Sequence, residues 1–248
     1  MKKIALITGA SRGIGAATAE LAAAEGYAVC VNYLRDAASA ETVAEACRQH
    51  GVEAITVQGD VAEPADVERL FETCDRELGP LTLLVNNAGI IGEATRLEAL
   101  TDEALRRTFE VNVFGAFRCA RAAVRRMSTS HGGEGGAIVN LSSIAATIGS
   151  ANEYIHYAAS KAAIDGFTIG LAREVGPEGI RVNSVQAGTA DTDIHALTGN
   201  PDRPAMVART APLRRVATAR EIAEAVIWLA SKKARYVTGA ILRAGGGL

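Results

Sequence analysis

Tyr157 and Lys161 are the residues of this sequence whose types and spacing best suit acid–base chemistry. They bracket the segment Tyr157-Ala158-Ala159-Ser160-Lys161, which opens a predicted helix, and helical residues four apart stack on one face. The lysine ammonium then lies beside the tyrosine phenol. A phenol titrates near 10, so proton exchange near neutrality requires about 3–4 kcal/mol of phenolate stabilisation. A neighbouring positive charge supplies stabilisation of this kind.

A glycine-rich turn follows the first apolar run of the chain. It reads T-G-A-S-R-G-I-G over residues 8–15 and leads into an alanine-rich helix. Glycines let a backbone approach a bulky phosphate, and the N–H groups at a helix start favour anions. The spacing G-x-x-x-G-x-G differs from the G-x-G-x-x-G fingerprint and lacks the Lys-Ser/Thr of a P-loop. Its place between a strand and a helix predicts dinucleotide binding.

Short apolar runs rich in Val and Ile alternate with helix-like stretches along the whole sequence. Seven such runs are present, at 4–8, 28–33, 54–58, 81–86, 137–141, 181–185 and 240–243. The alternation predicts parallel strands joined by helical crossovers, such as 14–25 and 219–231. No linker or internal repeat interrupts it. The sequence therefore predicts an α/β fold: a single doubly wound Rossmann-type domain over residues 1–248, with a seven-stranded parallel sheet and helices on both faces.

Two segments look irregular. Residues 128–136 are too rich in glycine to pack and are expected to form a surface turn. Residues 187–212 lack a clean period, contain Pro201, Pro204 and Pro212, and follow the sixth strand. Open sheets bind ligands at the carboxyl ends of their strands, so this second segment is a candidate substrate lid.

The motifs, in this order, resemble the short-chain dehydrogenase/reductase family over nearly the whole chain. The glycine turn resembles the family's T-G-x-x-x-G-x-G opening. Asp60-Val61 is similar to its adenine-contacting pair, and Asn86-Asn87-Ala88-Gly89 to its N-N-A-G motif. Within the family, the pattern is most similar to the branch of 3-oxoacyl-(acyl carrier protein) reductases and glucose dehydrogenases.

The resemblance implies hydride transfer between a nicotinamide cofactor and a carbonyl or carbinol carbon, while Tyr157 gives or takes the proton. It implies that Ser143 holds the substrate oxygen, although a one-residue shift in register exchanges Ser143 with Ser142. Asn112 corresponds to the residue that fixes a water between the lysine and solvent. From the pattern alone, Asn112 is a buried amide bonded to backbone. The implied catalytic residues are Asn112, Ser143, Tyr157 and Lys161.

The resemblance also implies which residues bind the cofactor. NAD-dependent relatives place an acid at the end of the second strand, a position we assign to Tyr33, which is not a carboxylate. Arg12, with Asn32 and Arg35 beside it, suits a 2′-phosphate, so NADP(H) is favoured over NAD(H). Asp36 is the alternative, because a longer strand would turn this carboxylate towards the ribose. The predicted cofactor-binding residues are Gly9, Ser11, Arg12, Gly13, Ile14, Gly15, Asn32, Tyr33, Asp60, Val61, Asn87, Ala88, Gly89, Tyr157, Lys161, Gly188, Thr189 and Thr192.

The sequence departs from the family pattern at two places. Ala187 stands where Pro is expected and Ala244 where Asp is common. Ala187 loosens the turn that places Thr189 and Thr192 against the nicotinamide. The four histidines show no metal-ligand spacing, so no metal is predicted, and His156 is expected at the surface.

The composition limits the classes of partner. The 248 residues are 48% apolar and 22% charged, with a formal net charge of -2, so nothing in the balance favours nucleic acid or an anionic membrane. No apolar run approaches the roughly 20 residues that span a bilayer, and the opening Met-Lys-Lys shows no signal-type cleavage region. Four dispersed cysteines indicate core thiols. A soluble, cytoplasmic protein is predicted.

Three functions are compatible with these observations. The first is an NADP(H)-dependent oxidoreductase acting on a small alcohol or carbonyl substrate. The second is a 3-oxoacyl-thioester reductase, which needs a basic surface near Arg125-Arg126 to dock an acyl carrier protein. The third is a dinucleotide sensor without turnover. The resemblance further implies a homotetramer, with contacts from the helix at 101–127, the helix carrying Tyr157 and the C-terminal segment.

Overall fold

A parallel sheet forms the centre of the protein. The computed structural model describes residues 2–191 and 203–248. Within these residues the strands are β1 (Lys3–Ile7), β2 (Tyr27–Tyr33), β3 (Ala54–Gln58), β4 (Leu83–Asn86), β5 (Gly136–Ser143), β6 (Ile180–Ala187), β7 (Ala190–Asp191), β8 (Ala217–Thr218) and β9 (Ile241–Ala244). Seven of them pair in parallel in the order β3-β2-β1-β4-β5-β6-β9, and β7 pairs with β8 separately. The predicted seven-stranded doubly wound sheet is confirmed.

Helices connect the strands. The described helices are α1 (Gly13–Ala24), α2 (Ala37–Arg48), α3 (Pro64–Glu77), α4 (Asp102–Phe109), α5 (Ala116–Met127), α6 (Ala145–Ile148), α7 (Ile155–Val175), α8 (Arg203–Thr210) and α9 (Ala219–Ala230). A π-helical turn, Glu110–Gly115, joins α4 to α5. Such turns are frequent at functional sites because they change the direction in which side chains point.

Side-chain caps mark the starts of two helices that border the site region. Asp36 precedes α2 and accepts a hydrogen bond from the Ser39 N–H. Thr218 and Glu221 form a reciprocal capping box at the start of α9. Each cap satisfies backbone donors that have no partner within the helix. These starts are therefore determined by local sequence.

The sheet buries both of its faces. Alternate strand residues point to opposite sides, so Ala5 and Ile7 join the core under α1, α2 and α9, whereas Ile4 and Leu6 join the core under α3, α5 and α7. All four cysteines lie in these cores as buried thiols, as predicted. No helix in the described residues combines the length and the apolar character needed to cross a membrane.

Buried amides fix α7 on the sheet. The Asn86 side chain on β4 donates to the Asn140 side chain on β5 at 2.9 Å, and Asn140 donates to the Thr168 hydroxyl on α7 at 2.9 Å. All three residues are buried. Satisfied polar groups in an apolar interior allow only one relative position of the elements that carry them. These two hydrogen bonds therefore hold α7, which carries Tyr157 and Lys161, in one position over the sheet.

The segment 128–136 is a turn, as predicted, but the expectation that its glycines cannot pack is wrong. A Cβ on Gly133 would lie 2.4 Å from the Arg126 carbonyl oxygen, and one on Gly135 would lie 2.4 Å from the Gly179 carbonyl oxygen. The glycines are present because backbone packs directly against backbone here. Of the candidate lid 187–212, residues 192–202 lie outside the described part of the chain.

Candidate active site

A large cavity opens at the carboxyl ends of the strands, where the strand order reverses between β1 and β4. Its volume is about 750 Å³, within the range of ligand-binding sites. It brings together most of the residues that the sequence singles out. Those lining it are Gly9, Ser11, Arg12, Gly13, Ile14, Gly15, Asn32, Asp60, Val61, Asn87, Ala88, Gly89, Ser143, Tyr157, Lys161, Gly188 and Thr189.

The glycine turn is locked to the end of β4. Gly9 and Gly13 adopt φ angles of 61° and 57°, a conformation that favours glycine. The Thr8 hydroxyl accepts hydrogen bonds from the Asn87 and Ala88 N–H groups, both at 3.0 Å. The Asn87 amide donates to the Thr8 and Gly9 carbonyls at 2.9 Å. The amino end of α1 therefore faces the cavity on a rigid support, which is an arrangement that binds anions.

The position assigned to Tyr33 is wrong. Side chains alternate along β2, so Tyr33 points to the same side as Val31 and packs against the core under α1 and α2. The cavity instead meets the next residues, Leu34, Arg35 and Asp36. The error arose because the end of the strand was placed without knowing which face each residue takes.

Asn32 lines the cavity, but its amide is engaged in structure. Its oxygen accepts from the Gly9 N–H at 3.1 Å, and its nitrogen donates to the Val57 and Gly59 carbonyls at 3.2 and 3.1 Å. It thus joins the turns after β1, β2 and β3. Asn32 therefore holds the backbone beneath the glycine turn in place.

Charged groups surround the end of the cavity near β2. Asp36 accepts hydrogen bonds from the Ser39 N–H at 3.0 Å and the Ser39 hydroxyl at 2.7 Å. These bonds lower the pKa of Asp36, and the Arg12 guanidinium, 3.9 Å away, lowers it further. The carboxylate is therefore ionised and bound to the start of α2, while Arg12 and Arg35 line the same end of the cavity.

Sequence reasoning missed Arg107, which lies at the neighbouring end of the cavity. Asp60 accepts from the Ala62 N–H at 2.9 Å and from the Arg107 guanidinium at 2.8 Å. Arg107, Asp60 and Val61 all line the cavity, with Val111 beside them. Arg107 belongs to α4, 47 residues away from Asp60 in the chain. No local sequence signal could have revealed this ion pair.

Tyr157 and Lys161 meet as predicted at the start of α7. Tyr157 is half-buried, whereas Lys161 is buried, and the Lys161 Nζ lies 5.8 Å from the centre of the tyrosine ring. The Lys161 ammonium donates to the Leu141 carbonyl at 2.6 Å. Burial lowers the pKa of Lys161 to about 8, and the negative charge of Asp165 partly opposes this effect. An amine whose charge changes with pH near 8 thus lies beside the phenol.

Asn112 lies behind these two residues, in the π-helical turn. Its oxygen accepts from the Ile90 N–H at 2.8 Å, and its nitrogen donates to the Ile90 carbonyl at 2.8 Å and the Ser160 hydroxyl at 3.0 Å. The interpretation of Asn112 as a buried amide bonded to backbone is confirmed. Asn112 also lies near the lysine, and Gly89 borders both side chains. A Cβ on this glycine would be 3.2 Å from the Asn112 Oδ1 and 3.4 Å from the Lys161 Nζ.

The two serines at the end of β5 differ in their contacts. Ser142 is buried, and its hydroxyl donates to the Lys161 carbonyl at 3.2 Å. Ser143 is half-buried, and its oxygen accepts from the Ala145 N–H at 3.1 Å. A hydroxyl that accepts a backbone hydrogen bond keeps its own hydrogen for donation. This division favours Ser143 as the residue that faces a substrate.

The end of β6 is more regular than its sequence suggests. Ala187, which replaces the expected proline, pairs in the sheet with Ala244. Gly188 follows, donates to the Ala244 carbonyl at 2.8 Å and lines the cavity with Thr189. The predicted contact at Thr192 lies outside the described residues.

His156 is buried, so its expected place at the surface is wrong. Among the described residues the Ile91 backbone is the polar group that the imidazole meets, and no other hydrogen-bond partner reaches either ring nitrogen. A Cβ on Gly92 would lie 2.8 Å from the His156 Nε2, so the ring fills the space that this glycine leaves. Burial lowers the pKa of His156, and the imidazole packs behind the loop after β4 as a neutral ring.

Comparison with known proteins agrees with this geometry. A family model described as enoyl-(acyl carrier protein) reductase matches residues 9–248. The oxidoreductase YgfF of Escherichia coli, itself described as uncharacterized, is 47% identical over 98% of this chain and 99% of its own length. The 3-oxoacyl-[acyl-carrier-protein] reductase FabG of Staphylococcus aureus is 36% identical over 100% of this chain and 98% of its own length. A crystal structure of a short chain dehydrogenase from Burkholderia cenocepacia in complex with NADP superposes with a TM-score of 0.91, at 37% identity over 99% of this chain and 97% of that one.

The chain belongs to the short-chain dehydrogenase/reductase family. It is an NAD(P)-dependent oxidoreductase, similar to the 3-oxoacyl-(acyl carrier protein) reductases of that family. A sensor without turnover is therefore set aside.

The residues present fit a nicotinamide dinucleotide. Gly9 and Gly15 leave no room for side chains, since a Cβ on Gly15 would lie 2.5 Å from the Asn87 Nδ2, so the turn presents bare backbone to the cavity. Backbone of this kind suits a pyrophosphate at the start of α1. Asp60 and Val61 would bound the adenine, and Gly89 leaves space beside Lys161 at the opposite end.

The burial of Lys161 predicts a conflict between stability and charge. The variant Lys161→Met is expected to be more stable than wild type at pH 7 by about 3 kcal/mol, because the pKa of Lys161 falls from its usual 10.5 to about 8 on folding. Below pH 8 the folded protein carries the cost of a buried charge. Between pH 8 and 10.5 the folded state has released this proton and the unfolded state has not, so the cost falls by about 1.4 kcal/mol per pH unit, and the advantage of the variant is lost above about pH 10.5.

Urea denaturation from pH 7 to 10.5 measures this difference. The exposed Lys232, changed to Met, is the control and should leave the free energy of unfolding unchanged. A Lys161→Met protein less stable than wild type at pH 7 would contradict the prediction.

Proposed function

We propose that this protein is an NADP(H)-dependent oxidoreductase that interconverts an alcohol and a ketone or aldehyde by hydride transfer, with Tyr157 as general acid and base. The placement of Tyr157, Lys161 and Ser143 on the cavity that the glycine turn also lines carries this proposal. A substrate oxygen bound there meets one hydroxyl that exchanges a proton and another that donates a hydrogen bond.

When bound, the nicotinamide supplies or accepts the hydride. Ser143 donates a hydrogen bond to the substrate oxygen, orients it and stabilises the negative charge that develops there. Tyr157 transfers the proton between its phenol oxygen and that same substrate oxygen. The direction of transfer follows the direction of the reaction.

Lys161 makes the phenol a stronger acid. Its ammonium, fixed by the Leu141 carbonyl, lies close enough to Tyr157 to stabilise the phenolate. Asn112 fixes the turn beside the Lys161 Nζ through its two bonds to Ile90. The further role that the resemblance gives Asn112, fixing a water that connects the lysine to solvent, is part of this proposal.

The variant Tyr157→Phe tests the acid–base assignment. It removes the exchangeable proton and keeps the ring, so turnover should fall by at least about a hundredfold while NADPH still binds. Initial rates and fluorescence titration of NADPH measure the two effects. Tyr236→Phe is the matched control, since Tyr236 is fully exposed, and it should turn over at the wild-type rate. Full activity in Tyr157→Phe would refute the assignment.

The charged groups near β2 support NADP(H) as the preferred cofactor. Asp36 lines this end of the cavity, and its two oxygens are bound to Ser39 at the start of α2. Arg12 and Arg35 line the cavity beside it. A guanidinium binds a phosphate through paired, charge-assisted hydrogen bonds, so this end suits a 2′-phosphate.

The variant Arg12→Ala tests this preference. Loss of one charge-assisted contact to the phosphate should weaken NADPH binding about 10- to 100-fold and leave NADH binding unchanged. Calorimetric titration with both cofactors gives the two dissociation constants. The exposed Arg173, changed to Ala, should alter neither constant. Equal losses for NADPH and NADH, or none for NADPH, would favour Asp36 as a ribose ligand.

Reduction of a 3-oxoacyl thioester is the second candidate, and the similarity to FabG favours it. The two basic residues that would dock an acyl carrier protein, Arg125 and Arg126, do not form a free basic surface beside the cavity. Arg126 is bound to Asp75 at 2.6 Å. Arg125 is exposed at the end of α5, which leads to the amino end of β5. The cavity lies on the other side of the sheet, at the carboxyl ends of the strands. This placement supports the small alcohol or carbonyl as the substrate class.

A substrate panel separates these two functions. Small ketones, alcohols and a 3-oxoacyl thioester are assayed in parallel through the absorbance of NADPH and NADH. We expect kcat/KM to be highest for a small ketone with NADPH and to be unchanged in Arg125→Glu. A dominant thioester activity that collapses in Arg125→Glu would establish the carrier-dependent reductase instead.

Two structural expectations also belong to this proposal. The homotetramer is supported by exposed apolar side chains on the predicted contact helices, where Phe114 and Phe117 are 46% and 45% exposed. A monomeric mass in sedimentation equilibrium would contradict it. The lid at 187–212 is supported by Val207 and Thr210 of α8, which line the cavity.

A further inference from the structure

Asp165 continues the line of functional side chains along α7. Tyr157, Lys161 and Asp165 are spaced by four residues each, so they share one face of the helix, with Cβ atoms of successive residues about 5–6 Å apart. The Asp165 carboxylate accepts hydrogen bonds from Gln186 at 2.7 Å and from the Ser184 hydroxyl at 3.2 Å, both on β6. These bonds fix the carboxylate one turn beyond the lysine.

Lys161 needs a negative charge nearby. Its ammonium is buried, and within the described residues it forms no ion pair; the Leu141 carbonyl accepts its hydrogen bond. A buried ammonium without a counter-ion tends to lose its proton. Asp165 is the charged group whose field opposes that loss.

We propose that Asp165 is a positioning residue that keeps the Lys161 ammonium charged by an electrostatic interaction along α7. This inference rests on the proposed function, because it acts through the role of Lys161 beside Tyr157. Asp165 itself is not among the residues that line the cavity. Its effect is on the charge of the lysine and, through that charge, on the acidity of the phenol.

The surroundings of Asp165 leave its charge effective. Gln186, which donates to the carboxylate, accepts a hydrogen bond from Arg243 at 3.2 Å on its other side. Arg243 also donates to Thr147 at 2.8 Å. The neutral amide thus separates the guanidinium from the carboxylate, and no direct ion pair of Asp165 is present in the described part of the chain.

The other titratable groups on elements packed against this part of α7 are engaged elsewhere. His156 packs against Gly92 as a neutral ring. Among the charged side chains of α4, the π-helical turn and β9, Asp102, Glu103 and Arg106 are exposed, and the others have these partners: Arg107 with Asp60, Glu110 with Arg118, and Arg243 with Gln186 and Thr147. Asp165 is therefore the group whose removal should change the charge of Lys161 most directly.

Two substitutions separate charge from shape. Asp165→Asn removes the charge and keeps one acceptor oxygen, which can accept from Gln186 or from Ser184. Asp165→Glu keeps the charge and changes the shape. Glu174→Gln removes the same charge from an exposed position thirteen residues beyond Lys161 on α7 and is the matched control.

The first readout uses the protein without cofactor. The chain has five lysines, so NMR of protein labelled with ¹³C-lysine follows each titration, and the Lys161 signal is identified by its loss in Lys161→Arg. We expect Asp165→Asn to lower the Lys161 midpoint from about 8 by on the order of one pH unit. Asp165→Glu and Glu174→Gln should remain near the wild-type midpoint. Because no turnover is needed, this result is independent of the proposed function.

The second readout is the pH profile of kcat/KM. The alkaline limb, where Lys161 loses its charge, should move to lower pH by the same amount in Asp165→Asn, and activity at the wild-type midpoint should fall about fivefold. Asp165→Glu should keep the wild-type limb. An unchanged Lys161 midpoint in folded Asp165→Asn overturns the proposal. A midpoint that falls in Asp165→Glu does so as well, and this variant decides alone if Asp165→Asn does not fold.

Discussion

The proposed chemistry of the site depends on Lys161, a buried lysine whose ammonium must stay charged. Burial favours the neutral amine, yet a neutral amine would not stabilise the phenolate of Tyr157. The chain meets these opposing demands with one short hydrogen bond to the Leu141 carbonyl and a carboxylate one helical turn away. Charge is thus retained at a cost to folding stability, a trade that active sites commonly show.

The rest of the site holds this ammonium in a fixed position on the cavity lining. Hydrogen bonds attach α7 to β5 at Thr168 and Lys161, and to the π-helical turn at Ser160. The glycine turn is fixed independently, through Thr8 and Asn87. The glycine turn is bonded to the end of β4 and α7 to the neighbouring β5, so the two ends of the cavity are held at a fixed spacing and little ordering is needed when a dinucleotide binds.

Local signals explain how much of this could be read in advance. The glycine turn, the Tyr157–Lys161 spacing and the alternating strands are short-range patterns, and the structure places them as predicted. Tyr33 was misplaced because one residue of register moves a strand side chain to the opposite face. His156 was misplaced because burial depends on Gly92, which approaches it from a distant part of the chain.

The sequence by itself determined the parallel α/β fold, the anion-binding turn and the pairing of a phenol with an amine, since each follows from spacing along the backbone. Only the tertiary structure decided which groups meet across elements: Arg107 with Asp60, Asn112 with Ile90, and Asp165 with β6. Those contacts join residues far apart in the chain, and their energies depend on burial, which no local pattern specifies.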